Sequence, residues 1–196
     1  MVTPSPLAIC VYCGSAGDVP DSYRAAAVAL GRTIGEIGGT MVYGGGRVGL
    51  MGLAADAALA AGATVVGVIP DFLRRHEVGH GSVSELMVVE TMHERKALMY
   101  ERSDAFVVLP GGFGTLDEAF EMLTWRQLGL HDKPILLLNI DGFWSPLITL
   151  IQHLVATGFV KPAAASLLTV VDQVEAVLPT LAALPRSTAD VRAKWA

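Results

Sequence analysis

No apolar run in this 196-residue chain is long enough to cross a membrane as a helix, because Asp56, Pro70 and Asp71 interrupt its most hydrophobic region. The opening Met1-Val2-Thr3-Pro4-Ser5-Pro6 carries no basic residue, so a signal peptide is not expected, and without a spanning run no membrane partner is expected either. Cysteine is scarce. Cys10 and Cys13 cannot build a disulfide framework, which points to a cytoplasmic protein. Their C-x-x-C spacing falls in and just after the first apolar run rather than at a helix start, and no second Cys/His pair completes a zinc site. Both therefore read as structural. An excess of positive charge is also lacking: the formal net charge is −5, and no nucleic-acid partner is expected.

Other absences narrow the chemistry. There is no G-x-x-x-x-G-K-[ST], so an ATPase loop is unsupported. His93-Glu94 begins a zincin-like pattern but lacks the second histidine. His76 and His80 stand four apart, yet Gly79 and Gly81 argue against a shared helix, so no metal is expected. The four lysines are Lys96, Lys133, Lys161 and Lys194, and only Lys96 falls near a candidate phosphate site. Together with the chain's size and pattern, this argues against a pyridoxal phosphate enzyme, and no cofactor is expected. No repeat, low-complexity stretch or dividing linker appears. Residues 1–196 are read as a single domain, with a loose tail from about 185 to 196.

What is present is a 52% hydrophobic chain in which short apolar runs alternate with helical patterns. Strands that are apolar throughout fit a parallel sheet covered on both faces, hence an α/β, three-layer, Rossmann-like domain with a mostly parallel sheet. Strands are expected over 7–12, 40–43, 64–69, 85–90, 105–109 and 135–139. Helices are expected over 21–37, 50–61, 92–102, 114–128, 143–156 and 173–184. The segment Asp71 to Ser84 breaks the rhythm and reads as a long connection.

Three stretches carry the chemistry. Leu109-Pro110-Gly111-Gly112-Phe113-Gly114-Thr115-Leu116-Asp117-Glu118 passes from a buried strand into a helix. Its glycines let a ligand approach the main chain, and the helix start offers N–H groups and a positive dipole end to a phosphate. Glu118, one turn in, is badly placed to hold that phosphate but well placed to act on a group attached to it. Just upstream, Met92, Arg95, Lys96 and Met99 fall at helical spacing, and Arg95 can take a phosphate or carboxylate in bidentate fashion. The third stretch, Gly44-Gly45-Gly46-Arg47-Val48-Gly49, satisfies G-x-G-x-x-G. It follows the second strand rather than the first and lacks a well-placed acidic residue, which disfavours a dinucleotide enzyme.

The Arg95-Lys96 helix followed by Pro110-Gly111-Gly112-Phe113-Gly114-Thr115-Leu116-Asp117-Glu118 resembles the LOG (LONELY GUY) family of cytokinin-activating phosphoribohydrolases, without a departure from its pattern. The likeness runs from about Ile9 to about Val171 and includes the Gly44-Gly45-Gly46 loop. Relatives of that family have carried the label lysine decarboxylase. The resemblance implies Arg95 and Glu118 as catalytic residues. It also implies a substrate-binding set of Ser15, Gly45, Gly46, Glu77, Met92, Arg95, Lys96, Gly111, Gly112, Phe113, Gly114, Thr115, Leu116, Asp117, Glu118 and Thr124, and a homodimer with sites near its interface.

On this reading a nucleoside 5′-monophosphate is the substrate. Hydrolysis of a cytokinin riboside 5′-monophosphate to free base and ribose 5-phosphate is the expected reaction. A carboxylate beside C1′ would stabilise the oxocarbenium-like transition state or deprotonate water. Two alternatives stand beside it: a broader purine nucleosidase acting on AMP-type substrates, and a non-catalytic nucleotide-binding module. The Arg95–Glu118 pair speaks against the latter. Neither residue is expected in the core.

Overall fold

The computed structural model describes residues 6–77 and 79–184 of the chain. Seven strands form one sheet in the order β4-β3-β2-β1-β5-β6-β7, and every neighbouring pair is parallel. They are β1 (Ala8–Tyr12), β2 (Thr40–Tyr43), β3 (Thr64–Pro70), β4 (Glu85–Val89), β5 (Ala105–Val108), β6 (Ile135–Leu138) and β7 (Leu168–Val171). The helices are α1 (Asp21–Glu36), α2 (Gly49–Ala60), α3 (Asp71–Glu77), α4 (Met92–Glu101), α5 (Phe113–Gln127), α6 (Ser145–Ala156), α7 (Pro162–Ala165) and α8 (Val177–Ala183). None of the described helices is long and apolar enough to cross a membrane.

Side chains along a strand alternate between faces, and here both faces are covered. Ile9 and Val11 of β1 join Met41, Tyr43, Val65, Ala105 and Val107 beneath α1, α2 and α8. Cys10 and Tyr12 turn the other way, with Val42, Val66, Phe106 and Val108, beneath α4, α5 and the start of α6. This gives the three layers that the fully apolar strands require.

The helices that frame the crevice are fixed locally. Leu50 N–H donates to the Gly14 carbonyl, and Gly14 N–H to that of Pro110, so the loops after β1 and β5 and the start of α2 are tied together. At the start of α4, Thr91 and Glu94 close a capping box. Thr91 Oγ1 accepts from Glu94 N–H at 3.1 Å, and Glu94 Oε2 accepts from Thr91 N–H at 3.2 Å. His93-Glu94 is thus the opening turn of a capped helix.

The elements differ from expectation in five places. The connection expected over Asp71 to Ser84 begins with α3, in which Asp71 pairs with Arg74 at 2.8 Å and Arg75 at 2.6 Å, three and four residues on. The glycines that argued against a helix lie beyond its end. β7 lies outside the expected strands. It is four residues long, sits at the sheet edge and is half-exposed, so it shows no long apolar run. α6 starts at Ser145, after a 3₁₀ turn over Ile140–Gly142, and the last helix is split into a 3₁₀ turn, Val174–Ala176, and α8. The short α7 had no counterpart in the sequence reading. The tail expected from about 185 lies outside the described residues.

Candidate active site

The strand order reverses direction of growth at β1, which has β2 on one side and β5 on the other. Loops leaving two such strands diverge to opposite faces of the sheet and open a crevice at the strands' carboxyl ends. A cavity of about 310 Å³ occupies that place. It is lined by Val11, Cys13, Gly14 and Ser15 from β1 and its loop, Gly44 after β2, Met51, Leu73, Met92 and Arg95. From the other side come Gly112, Phe113, Gly114, Thr115 and Glu118.

One wall is the start of α5. Its N-cap is Gly112, which has no side chain to accept from the first-turn amides, and no acidic residue lies in that turn. A fifteen-residue helix therefore presents uncapped N–H groups to the cavity. Space is open where a Cβ would stand on Gly112 or Gly114, whereas a Cβ on Gly111 would overlap Thr115. Gly111 is thus required by packing, and Gly112 and Gly114 leave the rim clear. The Phe113 ring is 92% exposed beside the opening.

The opposite wall is made by Arg95, in the first turn of α4. Its Nε donates to the Val68 carbonyl at 3.2 Å and its Nη2 to the Gly44 carbonyl at 3.1 Å. Two strand ends thus hold the guanidinium, and Nη1 is left facing Glu118 Oε1 at 3.5 Å. Arg95 is 8% exposed and Glu118 7%. Both had been expected outside the core, but they are buried, because α4 and α5 close over the strand ends. Burial raises the Glu118 pKa to about 7, against the opposing pull of Arg95. A carboxyl poised near neutrality can both accept and return a proton. Burial, and then the neighbouring Glu118, also raise the Cys13 thiol, which keeps it protonated.

The remaining residues of the expected set divide by position. Ser15, Met92, Arg95, Gly112, Phe113, Gly114, Thr115 and Glu118 line the one cavity. Gly111 lies beneath the rim against Thr115. Gly45 and Gly46 do not line the cavity; the Gly45 carbonyl accepts from His80 N–H at 3.1 Å and Gly46 pairs with Gly79. Lys96 turns away from the cavity to Asp117 and Glu121, at 3.1 Å from each. Leu116, Asp117 and Thr124 do not line the cavity. Glu77 ends α3, and its side chain lies outside the described residues.

Gly44 was missed as a contact of Arg95, as were Cys13, Gly14, Met51 and Leu73 as lining groups. Nothing in a run of three glycines shows which one faces a side chain fifty-one positions away. The Thr91-x-x-Glu94 box was legible but passed over. Among the described residues no group of three or more His, Cys, Asp or Glu side chains gathers as a metal site.

Comparison with known proteins places this geometry. A family model described as "Possible lysine decarboxylase" matches residues 51–181. A cytokinin riboside 5′-monophosphate phosphoribohydrolase from Rhodococcoides fascians is 46% identical over 179 residues, covering 91% of this chain and 90% of that protein. A protein of the same name from Arabidopsis thaliana is 47% identical over 156 residues, covering 80% of this chain and 73% of its own. Among solved structures, the molybdenum cofactor binding protein from Rippkaea orientalis aligns with a TM-score of 0.70 at 23% identity, over 92% of this chain and 98% of that one. The molybdenum cofactor carrier protein from Chlamydomonas reinhardtii gives 0.70 at 23%, over 91% and 99%. These two share the fold.

Proposed function

This chain belongs to the LOG family of cytokinin riboside 5′-monophosphate phosphoribohydrolases, and from that membership we propose that it hydrolyses the N-glycosidic bond of such nucleotides. The products are the free base and ribose 5-phosphate. The observation that carries the reading is the buried Arg95–Glu118 pair, 3.5 Å apart, facing a cavity whose rim is an uncapped helix start.

The 5′-phosphate takes the first-turn N–H groups of α5 and the dipole end. Anchoring it there aligns C1′ with Glu118, one helical turn further in. As the C1′–N bond lengthens, its electron pair leaves with the base and positive charge gathers on the ribose, beside the Glu118 carboxylate. Water attacks C1′. Glu118 accepts one of its protons, and the other stays on the new C1′ hydroxyl. The accepted proton is then available to the departing base, so the sum is one water consumed. Arg95 sets the Glu118 carboxylate in place and offers charge to the leaving base. Met92 and Leu73 supply apolar surface for the flat base.

The decarboxylase label of the family model is not supported by the same residues. Lys96 is engaged by two carboxylates and does not line the cavity, which does not suit a Schiff base.

We also propose a cytoplasmic homodimer. The twelve-residue α6, Ser-Pro-Leu-Ile-Thr-Leu-Ile-Gln-His-Leu-Val-Ala, has no fully buried residue although most of it is apolar. Phe120, Leu128, Leu130 and Phe159 are exposed as well. Burying such surface against a second copy is favourable. Light scattering at micromolar concentration tests this, and a monomeric mass refutes it.

The function is tested by product analysis with isopentenyladenosine 5′-monophosphate, AMP and adenosine side by side. The expected outcome is base and ribose 5-phosphate from the first, slower release from AMP, and almost none from adenosine. Equal turnover of the first two makes the protein a general purine nucleotide nucleosidase. Binding without any cleavage makes it a nucleotide-binding module.

A further inference from the structure

Consecutive residues on a helix point about 100° apart. Arg95 and Lys96 therefore leave the first turn of α4 in different directions. Arg95 takes the cavity. Lys96, 7% exposed, passes behind it to α5, where Nζ lies 3.1 Å from Asp117 Oδ2, 3.3 Å from Asp117 Oδ1 and 3.1 Å from Glu121 Oε2. The result is two adjacent rungs between the same two helices: Arg95 to Glu118, and Lys96 to Asp117 and Glu121.

We propose that Lys96 is a positioning residue, which clamps α4 to α5 through Asp117 and Glu121 and so holds Arg95 opposite Glu118, without touching the nucleotide. The resemblance to known proteins had implied a substrate contact here. Three properties of the site favour the clamp. The ammonium has three donors, and three carboxylate oxygens lie within reach. Two carboxylates beside it repel a phosphate. Burial would lower the Lys96 pKa, but the hydrogen bonds to Asp117 and the ion pair with Glu121 outweigh it and raise it, so the charge is kept. At the far end of the same helix pair, Tyr100 packs edge-on against Trp125 with ring centroids 5.4 Å apart. The clamp is thus the polar tie at the cavity end and the aromatic pair its counterpart at the other.

The clamp also touches Glu118 electrostatically. The groups acting on Glu118 are Arg95 and Lys96, which favour its charged form, and Asp117 and Glu121, which oppose it. The buried Cys10, Tyr12 and Cys13 feel the charge of the same carboxyl. Removing the Lys96 cation leaves Asp117 and Glu121 uncompensated, so the Glu118 titration moves upward.

The inference rests on the proposed hydrolase reading, and the test separates the two. Lys96→Met, Lys96→Arg and Asp117→Asn are compared with the parent protein in steady-state hydrolysis of isopentenyladenosine 5′-monophosphate. A displacement of about 1 Å at such a pair costs on the order of 10²-fold in rate. The expected result is a fall in kcat approaching that size for Lys96→Met, with KM within about threefold of the parent, substantial rescue by Lys96→Arg, and a smaller fall of the same kind for Asp117→Asn. A KM raised tenfold or more with kcat retained makes Lys96 a substrate contact and overturns the clamp. Unchanged kcat and KM overturn it too. If Lys96→Met does not fold, Asp117→Asn decides by the same split, since Asp117 is largely exposed. If the parent hydrolyses nothing, the function falls while the clamp is still read by carbon-13 NMR of the Glu118 carboxyl. Its midpoint moves upward in whichever of Lys96→Met and Asp117→Asn removes net positive charge, namely the former, and downward in the latter. Unmoved midpoints refute it.

Discussion

The guanidinium of Arg95 lies where a side chain on Gly44 would begin, with Nη2 3.1 Å from the Gly44 carbonyl it donates to. The glycine is therefore defined by a residue of another element, and the Arg95 position depends on it.

Gly44→Ala is accordingly expected to act as an Arg95 variant. The new Cβ would overlap the guanidinium and push it off the Gly44 and Val68 carbonyls. Loss of about 10²-fold or more in kcat is expected, because small misplacements at a reacting centre have effects of that order. Steady-state hydrolysis checks it. Near-parent kcat in a folded Gly44→Ala protein would show that Arg95 does not need this seat.

Glu118→Gln is expected to lower kcat by about 10²–10⁴-fold, the usual contribution of a general base. Its stability should respond to pH in a definite direction. The folded protein holds the Glu118 proton up to a pKa of about 7, whereas the ordinary value is 4.5. Between those values the folded state binds more protons than the unfolded one, so this group's contribution falls as pH rises and is fully lost above about 7. Glutamine does not titrate. Melting curves from pH 4.5 to 8 should show the variant gaining on the parent as pH rises. Parallel curves would mean that Glu118 is not buried in this way.

The sheet was readable because its strands are short runs of Val, Ile, Leu and Met between glycine-marked turns, a pattern with few other solutions. Phe106-Val107-Val108, fully buried, could hardly be anything else. β7 escaped because an edge strand with one half-exposed face lacks that signal. α3 escaped because its support is an ion-pair cluster around Asp71 rather than an apolar stripe. At the site, the loop from Gly111 to Glu118 stood out by spacing. The divergence of Arg95 and Lys96 did not, since adjacency in sequence hides the 100° between them. Burial of both members of the Arg95–Glu118 pair was equally invisible, for it depends on how closely α4 and α5 close over the strand ends.

Arg95→Ala is expected to destabilise the fold as well as remove activity. It leaves the buried Gly44 and Val68 carbonyls without this donor and Glu118 without its partner. Breaking a buried pair from one side costs about 3–5 kcal/mol. The double variant Arg95→Ala with Glu118→Gln removes the stranded charge. It should therefore melt higher than Arg95→Ala alone at pH 8, where Glu118 of the unfolded chain is ionised and the folded single variant, without the Arg95 pull, must hold either a stranded charge or a proton. A double variant that melts lower at that pH would show that the two residues do not act as a pair.

The 5′-phosphate should be required for efficient turnover. The first-turn amides of α5 have no side-chain cap, and the open space at Gly112 and Gly114 leaves them accessible from the cavity. A dianion placed there accepts charge-assisted hydrogen bonds worth about 1.5–3 kcal/mol each. Two such bonds correspond to roughly 10²–10⁴-fold in kcat/KM, since each 1.4 kcal/mol is about tenfold. Because the phosphate also sets the distance from C1′ to Glu118, part of the loss should appear in kcat and not only in KM. Comparing isopentenyladenosine with its 5′-monophosphate measures this directly. Adding a side chain at Gly114 should narrow the difference by crowding the phosphate, while leaving the slow nucleoside rate nearly unchanged. Equal turnover of nucleoside and monophosphate by the parent protein would remove the α5 start from the binding site.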